Sequence, residues 1–454
     1  MTIGIRKFVK LISAIALTVA APGAAAAQTA AAREVRVTID EAIQRSIERA
    51  PRLAEAHARE AAAKSTYDGR RSTAMPSGSI STSLSRNNHV DEVLIPLPTG
   101  GTRVLFPDIP DNYRVRGELF VPIYAFGRVG ATLSAARSDI DAAVADAKTS
   151  EADVRLDVSR AYWTLAAAIE AVSVMEQSLA RTDAYVTDVG ARVDAGVLPP
   201  NDVLTAKAQR ARQSVRLVQA RNDRALAELD LGRLIGEPAG TRIVLASAVD
   251  RVTPSAAAVA SQADAALVAR AIGGRSEALA LAARSAGLRS ASQAAMANLR
   301  PYVTGVAAVE PARPNMRFVP PTDTWRTSWT LGVNVTWPLF DSGKSKAESA
   351  ALAAHADAVD ARHREFDDLV SLEIRQRLLD LESGRAALAA SAEAVTAAAE
   401  ARRVVEERFR AGVATNTEVL DAQVALLEAA LEQTRLNASL RLTEARLVRA
   451  VGNQ

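Results

Sequence analysis

The sequence predicts an internally duplicated α+β membrane protein, in which β-strands of the lipid-spanning type run into helices far longer than a globular domain needs. Three observations carry this expectation. Two segments align at one constant offset, strand-like stretches alternate apolar with polar residues, and alanine-rich helical runs extend for tens of residues between breakers. Pro122-Ile123-Tyr124 and Gly127 match Pro338-Leu339-Phe340 and Gly343, an offset of 216 positions. The same offset carries Ala195-Gly196-Val197 onto Ala411-Gly412-Val413, Asp202-Val203-Leu204 onto Glu418-Val419-Leu420, and Gly236 onto Gly452. A gapless run of such landmarks over about 115 residues marks a repeat, and a repeat decides the fold before any local signal does. The expected organisation is a leader over 1–27, a first structural repeat over 28–262 and a second over 263–454.

The opening segment reads as a secretory signal. Arg6, Lys7 and Lys10 give a positive start, Leu11 to Ala21 an apolar run, and Ala24 to Ala27 a small-residue cleavage region before Gln28. The run is too short for a spanning helix, and no later stretch qualifies as one. Those three basic residues equal the whole formal net charge of +3, so the remainder is neutral. The pI of 9.2 therefore does not point to nucleic acid. The absence of cysteine excludes disulfides, thiol catalysis, cysteine metal sites and a lipidated N-terminal cysteine.

Taken in order, Thr38 to Ala74 reads as a helix, opened by a Thr38/Glu41 capping box and kinked or broken at Pro51. Pro76 to Pro122 switches to serine, glycine and alternation. Gly127 to Val189 is a long helix, Gly196 to Asn201 a turn with Pro199-Pro200 as breakers, Asp202 to Leu234 a second helix, and Gly236 to Pro254 a connector. The second half follows the same plan. A helix over 263–298, with a break at Gly273-Gly274, precedes a β region from Pro301 to Pro338. Gly343 to Arg410 is a long helix, Gly412 to Asn416 a turn, and Thr417 to Ala450 a closing helix. At 1.5 Å per residue the long helices reach roughly 95–100 Å. The shorter ones, stacked end to end, match that length, so each half can form one continuous and one two-piece column. Runs such as Ala386-Ala387-Leu388-Ala389-Ala390 permit the close approach of coiled-coil-like packing.

In the last β segment Trp325, Thr327, Trp329, Leu331, Val333, Val335 and Trp337 share one face, and Arg326, Ser328, Thr330, Gly332, Asn334 and Thr336 the other. The extended run is roughly 40 Å long, enough to cross a bilayer on a tilt, and its aromatic residues suit the interfacial girdle of a membrane barrel. Tyr113, Val115, Gly117, Leu119 and Val121 repeat the pattern more weakly, Ile80, Thr82 and Leu84 form a third strand, and Tyr302 to Val309 a fourth. A soluble half-buried sheet also alternates, but four strands tethered to such long helices would leave it no core to cover. A sheet in hydrocarbon must close on itself. Four strands cannot do so alone; three copies give twelve, within the range of known barrels. Counting favours a homotrimer and leaves dimers and tetramers formally open.

With these residues in hand, the chain resembles the TolC-type outer-membrane efflux protein family across essentially its whole length after the leader. The resemblance rests on the duplicated strand-to-helix switches Pro122/Gly127 and Pro338/Gly343, on Asp194-Ala195-Gly196-Val197 with Asp202-Val203-Leu204, on Arg410-Ala411-Gly412-Val413 with Glu418-Val419-Leu420-Asp421-Ala422, and on Thr38-Ile39-Asp40-Glu41-Ala42 with Pro51. It implies a trimeric twelve-stranded barrel in the outer membrane of a Gram-negative bacterium, continuing into a helical periplasmic tunnel. It also implies a passive duct, docked at its periplasmic tip to an adaptor (membrane fusion) protein and a proton-driven or ATP-driven inner-membrane pump. A small-compound efflux duct leads this reading. An ATP-driven protein-secretion duct is not separated from it by sequence, and a non-transporting structural coiled coil is the alternative of another class.

The resemblance also assigns roles. Glu418 and Asp421, neighbours at i and i+3, match an acidic cluster lining the narrow periplasmic end, and Asp202 is the repeat equivalent of Glu418. Replicated about a pore axis they would favour cations; solvated helix-start acids are the plainer reading. Gly196 and Gly412 supply backbone angles other residues resist, and Val197, Leu198 and Val413 would be exposed apolar contacts for the adaptor; a plain interhelical turn needs the same glycines. Pro122 and Pro338 should end ladder pairing at the strand-to-helix switch, with Gly127 and Gly343 beyond. Trp325, Trp329, Trp337 and Tyr113 would form the membrane girdle against lipid. His57, His89, His355 and His363 are scattered without ligand spacing, so no metal site is expected. No nucleotide loop, catalytic constellation, cofactor or nucleic-acid partner is expected either.

Overall fold

The computed structural model describes residues 34–246 and 264–452. The expected leader over 1–27 and the end of the 236–254 connector lie outside the described residues. Helix α1 (Ile39–Arg49) opens on the capping box: Glu41 N–H donates to Thr38 Oγ1 at 3.2 Å and Thr38 N–H to Glu41 Oε2 at 3.0 Å. Ala50 is extended, and α2 (Pro51–Ser72) restarts with the proline at its first turn, where the missing N–H has no helical partner to lose. Pro51 therefore breaks the helix rather than kinking it. Helices α3 (Arg128–Asp194) and α4 (Pro200–Ile235) complete the first half. In the second, α5 (Asp264–Gly274) and α6 (Ser276–Met296) part at Arg275, just past the glycine pair, and α7 (Lys344–Arg410) and α8 (Asn416–Val451) follow. Both α3 and α7 have 67 residues, and both α4 and α8 have 36.

These helices form four columns. α3 packs along α1, α2 and α4; α6 and α8 each pack against both α3 and α7; α1 meets α4 and α5 meets α8. The order across the molecule is thus α2 stacked over α4, then continuous α3, then α6 stacked over α8, then continuous α7. Stacked and continuous columns alternate, and the outermost two are of opposite kind.

Eight strands accompany them among the described residues. β1 (Glu34–Val37) pairs in parallel with β6 (Arg242–Leu245), and β3 (Val93–Pro96) with β4 (Thr102–Phe106) in an outer hairpin. The first pair escapes sequence reading because its strands are only four residues long and flank helix ends. The remaining four, β2 (Ser77–Arg86), β5 (Asp111–Tyr124), β7 (Tyr302–Arg313) and β8 (Arg326–Thr336), form an antiparallel sheet in the order β2-β5-β7-β8. Its register aligns Ile80, Gly117, Val309 and Trp329 across one face, and Ser81, Arg116, Glu310 and Ser328 across the other. On the first face Ile80, Leu331 and Val335 are strongly exposed, up to 83% for Ile80, as lipid-facing side chains are. On the second, Arg116 bridges Glu118 at 2.9 Å and Glu310 at 3.1 Å, and Arg114 lies 3.5 Å from Glu310. All helices attach at one end of the sheet; the segments 87–110 and 314–325 lie at the other.

Trp325 and Tyr113 stand together at the loop end, ring centroids 6.3 Å apart, and Trp337 at the helix end donates its Nε1–H to Leu299 O at 3.2 Å. Trp329 sits inside the apolar band rather than at its rim, because it pairs with Val309. Pro122 departs from expectation. β5 continues to Tyr124, with a register shift after Pro122, so the proline disrupts the ladder and the strand ends two residues later. The helix switch belongs to Phe126-Gly127 and Ser342-Gly343, consecutive residues at φ 43 and 89 and at φ 57 and 84. Two successive left-handed residues turn the chain, and glycine takes the larger angle without strain.

Large buried side chains gather where stacked helices meet, near the middle of the long ones. Val158, Tyr162, Leu165, Leu231, Ile235, Ile243 and Val37 form one core, and Leu267, Ile374, Leu381, Leu447 and Val451 its counterpart. An ionic belt ties the two. Arg449 reaches Asp153 at 2.8 Å and Glu277 at 2.6 Å, Arg275 reaches Glu277 at 2.9 Å and Glu373 at 2.6 Å, and Arg52 joins Asp153 at 2.9 Å. Burial alone would raise the Glu277 carboxyl, but hydrogen bonds from Arg275 and Arg449 outweigh it and hold it at about 2.

Leu165→Ala should destabilise the middle core by about 2–5 kcal/mol, read as earlier heat-induced loss of helical circular dichroism. Glu277 is depressed on folding, so its contribution is complete above its ordinary value of 4.5 and is lost as pH falls toward about 2. Glu277→Gln should therefore melt earlier than the parent at neutral pH, with the difference closing in strong acid; a pH-independent difference would refute the belt's ionic role.

Candidate functional site at the helical tip

At the end remote from the sheet, α3 turns into α4 and α7 into α8. Gly196 (φ 72) and Gly412 (φ 76) follow the cap residues Ala195 and Ala411. Val197 N–H donates to Arg192 O at 2.8 Å and Gly196 N–H to Val193 O at 2.9 Å; Val413 and Gly412 repeat this with Arg408 and Phe409 at 2.9 and 3.0 Å. This double closure is the Schellman motif, which requires the left-handed residue. A Cβ at either glycine would meet open space, so backbone angle rather than crowding selects them. Val197 and Val413 project from the turns, 67% and 65% exposed. Leu198 does not join them. It is half-buried and packs onto the tip core, because its chain is already turning back toward α4.

The two turns then diverge. α4 begins with Pro199-Pro200 and no side-chain cap, whereas α8 begins with a second capping box: Thr415 N–H donates to Glu418 Oε2 at 2.7 Å and Glu418 N–H to Thr415 Oγ1 at 3.3 Å. Glu418 thus spends its carboxylate partly on closing its own helix while staying exposed. Asp421, one turn on, is exposed; Asp202 is half-buried. No grouping suited to a metal ion occurs among the described residues.

A polar link that sequence reading missed lies behind these acids. Tyr185 O–H donates to Asn416 Oδ1 at 2.7 Å, and Asn416 Nδ2 donates to Asp202 O at 3.1 Å. Both side chains are buried. Burial first, then the Asp202 and Asp188 carboxylates, push the Tyr185 hydroxyl well above its ordinary range, which keeps it protonated and donating. Phe409, Val189, Ala206, Val419 and Leu420 surround the pair. Deeper in, Thr182 Oγ1 lies 2.8 Å from Gln213 Oε1 and 3.3 Å from Gln423 Oε1, joining α3, α4 and α8. The available signal was a tyrosine in an alanine-rich helix that has few aromatics. Asn416→Ala should strand the buried Tyr185 hydroxyl, at about 1–3 kcal/mol for a buried group left unsatisfied, and remove the tie to the Asp202 carbonyl. Faster amide exchange confined to the first turns of α4 and α8 is the expected readout, and unchanged exchange there would refute the link.

The sequence model of the outer membrane efflux protein family matches residues 42–237 and 267–453. No curated protein sequence matches significantly. Among solved structures, the outer-membrane channel OprN superposes with a TM-score of 0.75 at 20% identity, over 92% of this chain and 90% of that one. The outer membrane protein VceC from Vibrio cholerae gives 0.75 at 19%, over 91% and 96%. The open state of the MtrE outer membrane channel from Neisseria gonorrhoeae gives 0.73 at 19%, over 91% and 88%. At these identities the likeness speaks for the fold alone. With the family match covering most of its length, the chain belongs to the outer membrane efflux protein family, whose members are outer-membrane channels that extend into the periplasm.

Proposed function

We propose that three copies of this chain close into a twelve-stranded barrel on a twelve-column helical tunnel. We further propose that this duct passively releases small toxic compounds handed over by an inner-membrane pump and a periplasmic adaptor. One observation carries the reading: the chain ends in complementary edges at every level. The sheet stops at β2 on one side and β8 on the other. Lipid leaves an unpaired strand edge unsatisfied, so the two edges need partners. Below them, the outer columns are α2 over α4 on the β2 side and α7 on the β8 side. Placing the next copy beside the first continues the alternation of stacked and continuous columns without a fault.

The exposed helix faces support the same closure. Leu204, Val215, Val218, Leu226 and Leu229 on α4 are exposed and fall within about a quarter of the helix circumference. Leu369, Leu372 and Leu379 on α7 do likewise. Each stripe lies on an edge column, where burial against another copy would remove it from water.

In this reading Gly196 and Gly412 hold the turns that present Val197 and Val413 to the adaptor, while Asp421, Glu418 and Asp202 line the narrow end and favour cations there. Pro122, Gly127, Pro338 and Gly343 mark the passage from barrel to tunnel, and Trp325, Trp329, Trp337 and Tyr113 meet lipid. The two halves, 28–262 and 263–454, supply equivalent hairpins.

The absence of cysteine makes the tip testable. Val413→Cys, crosslinked in living cells and analysed by mass spectrometry, should capture the adaptor of a proton-driven pump. Capture of an ATP-driven exporter's adaptor would redirect the function to protein secretion, and capture of peptidoglycan-binding proteins alone would overturn the docking role. In planar bilayers Asp421→Asn should lower cation preference. It is a cleaner probe than Glu418→Gln, which also loosens the cap of α8.

A further inference from the structure

The segment joining β7 to β8 does not project away from the barrel end; it folds back over the polar face of the sheet. Asn315 is 3% exposed, and its Nδ2 lies 3.2 Å from Glu310 O, 3.0 Å from Arg326 O and 3.1 Å from Ser328 Oγ. Its Oδ1 accepts from Arg317 N–H at 3.0 Å. Arg317 Nη1 donates to Trp329 O at 2.8 Å and reaches Thr330 Oγ1 at 3.1 Å. The Arg326 guanidinium sits 5.0 Å above the Phe318 ring. Arg313 grips Asp323 through two bonds, at 2.8 and 2.9 Å, and ties the base of the loop.

The register settles which side this is. Arg326, Ser328 and Thr330 belong to the face carrying Arg114, Arg116, Glu118 and Glu310, opposite Ile80, Val309 and Trp329. In a closed barrel that polar face lines the lumen. The other loop differs: its β3–β4 hairpin keeps Val93, Leu94 and Ile95 exposed.

Charge supplies the specificity. Glu118 and Glu310 neutralise Arg114 and Arg116 across the face. Arg317 and Arg326 have no carboxylate at ion-pair distance among the described residues; they bond to neutral oxygens or stack on Phe318. Arg317 of the loop and Arg326 at the start of β8 therefore add uncompensated positive charge to a polar wall.

We propose that the β7–β8 loop builds a cationic constriction at the outer mouth of the barrel, with Arg317 and Arg326 as the residues that favour anionic solutes there. This rests on the three-copy closure above, which brings three such loops around one axis. Fixed guanidiniums in a narrow passage attract anions and repel cations, and low-dielectric walls focus their field. The duct then carries opposite signs at its two ends, acidic at the helical tip and basic at the outer mouth.

The test uses the purified full-length protein in planar bilayers under a potassium chloride gradient. Arg317→Glu should move the reversal potential toward cation preference, and Arg317→Gln should move it part of the way. Replacing 315–322 by a short Gly-Ser linker should raise single-channel conductance. Because a loop variant can misfold, a second readout is independent of stability: in Arg317→Cys, a cationic thiol reagent added from the loop side should restore anion preference, and an anionic one should move the reversal potential further toward cations. Folded oligomers whose conductance, reversal potential and thiol response all stay at parental values would overturn the constriction while leaving the duct intact. A parent protein that opens no channel would overturn the duct reading and the constriction with it.

Discussion

A β-sheet in hydrocarbon cannot keep a free edge, and this constraint governs everything else in the molecule. Each backbone N–H and C=O left without a partner in lipid costs several kcal/mol. A chain that supplies only the sheet β2-β5-β7-β8 is therefore unfinished as a membrane structure. The same incompleteness extends downward, because each strand continues into a helix on its own side. The sheet order and the column order are one order, read at two heights. The exposed leucine and valine stripes on α4 and α7 lie on the two outermost columns of that order.

The helical part answers a different problem, which is how to stay rigid over a long span without a thick core. Alanine lets columns approach closely but buries little area per residue, so stability has to be concentrated. It gathers at mid-height, where the stacked helices butt together and Tyr162, Leu165, Leu231 and Ile374 are fully buried, and again at the tip around Tyr185 and Phe409. The arginine-carboxylate belt through Arg275, Glu277, Arg449 and Asp153 lies at that mid-height junction. It joins α3 of the first half to α6 and α8 of the second, so the halves are pinned where their helices are interrupted.

Much of this architecture was legible in the sequence because it is periodic. The Trp325–Trp337 alternation, the Thr38/Glu41 capping box, the break at Pro51 and the paired glycines at the tip turns each follow from a local rule that needs no distant partner. What escaped depends on distant partners. β1 and β6 pair across two hundred residues and are too short to signal themselves. Asn416 reads as an ordinary helix-start residue until Tyr185 and Asp202 are beside it. Leu198 looks like a third exposed tip residue until the turn directs it inward. Pro122 reads as a strand terminator, yet it stays paired with Thr304 and the ladder resumes at Tyr124 with a shifted register.

Duplication also separates framework from function. Helix lengths, the Phe126-Gly127 and Ser342-Gly343 switches, and the Schellman closures at Gly196 and Gly412 recur in both halves, so backbone geometry maintains them. The differences cluster at the two ends. Pro199-Pro200 stands where the second half has Thr415-Asn416, so of α4 and α8 only α8 carries a side-chain cap and sends an asparagine into the neighbouring hairpin. At the opposite end one loop extends as a β-hairpin while the other folds over the polar face through Asn315 and Arg317. Loops and helix ends are where a rigid scaffold can vary without disturbing its packing. Here the variation falls at the two ends of the molecule, remote from the mid-height cores that hold the columns together.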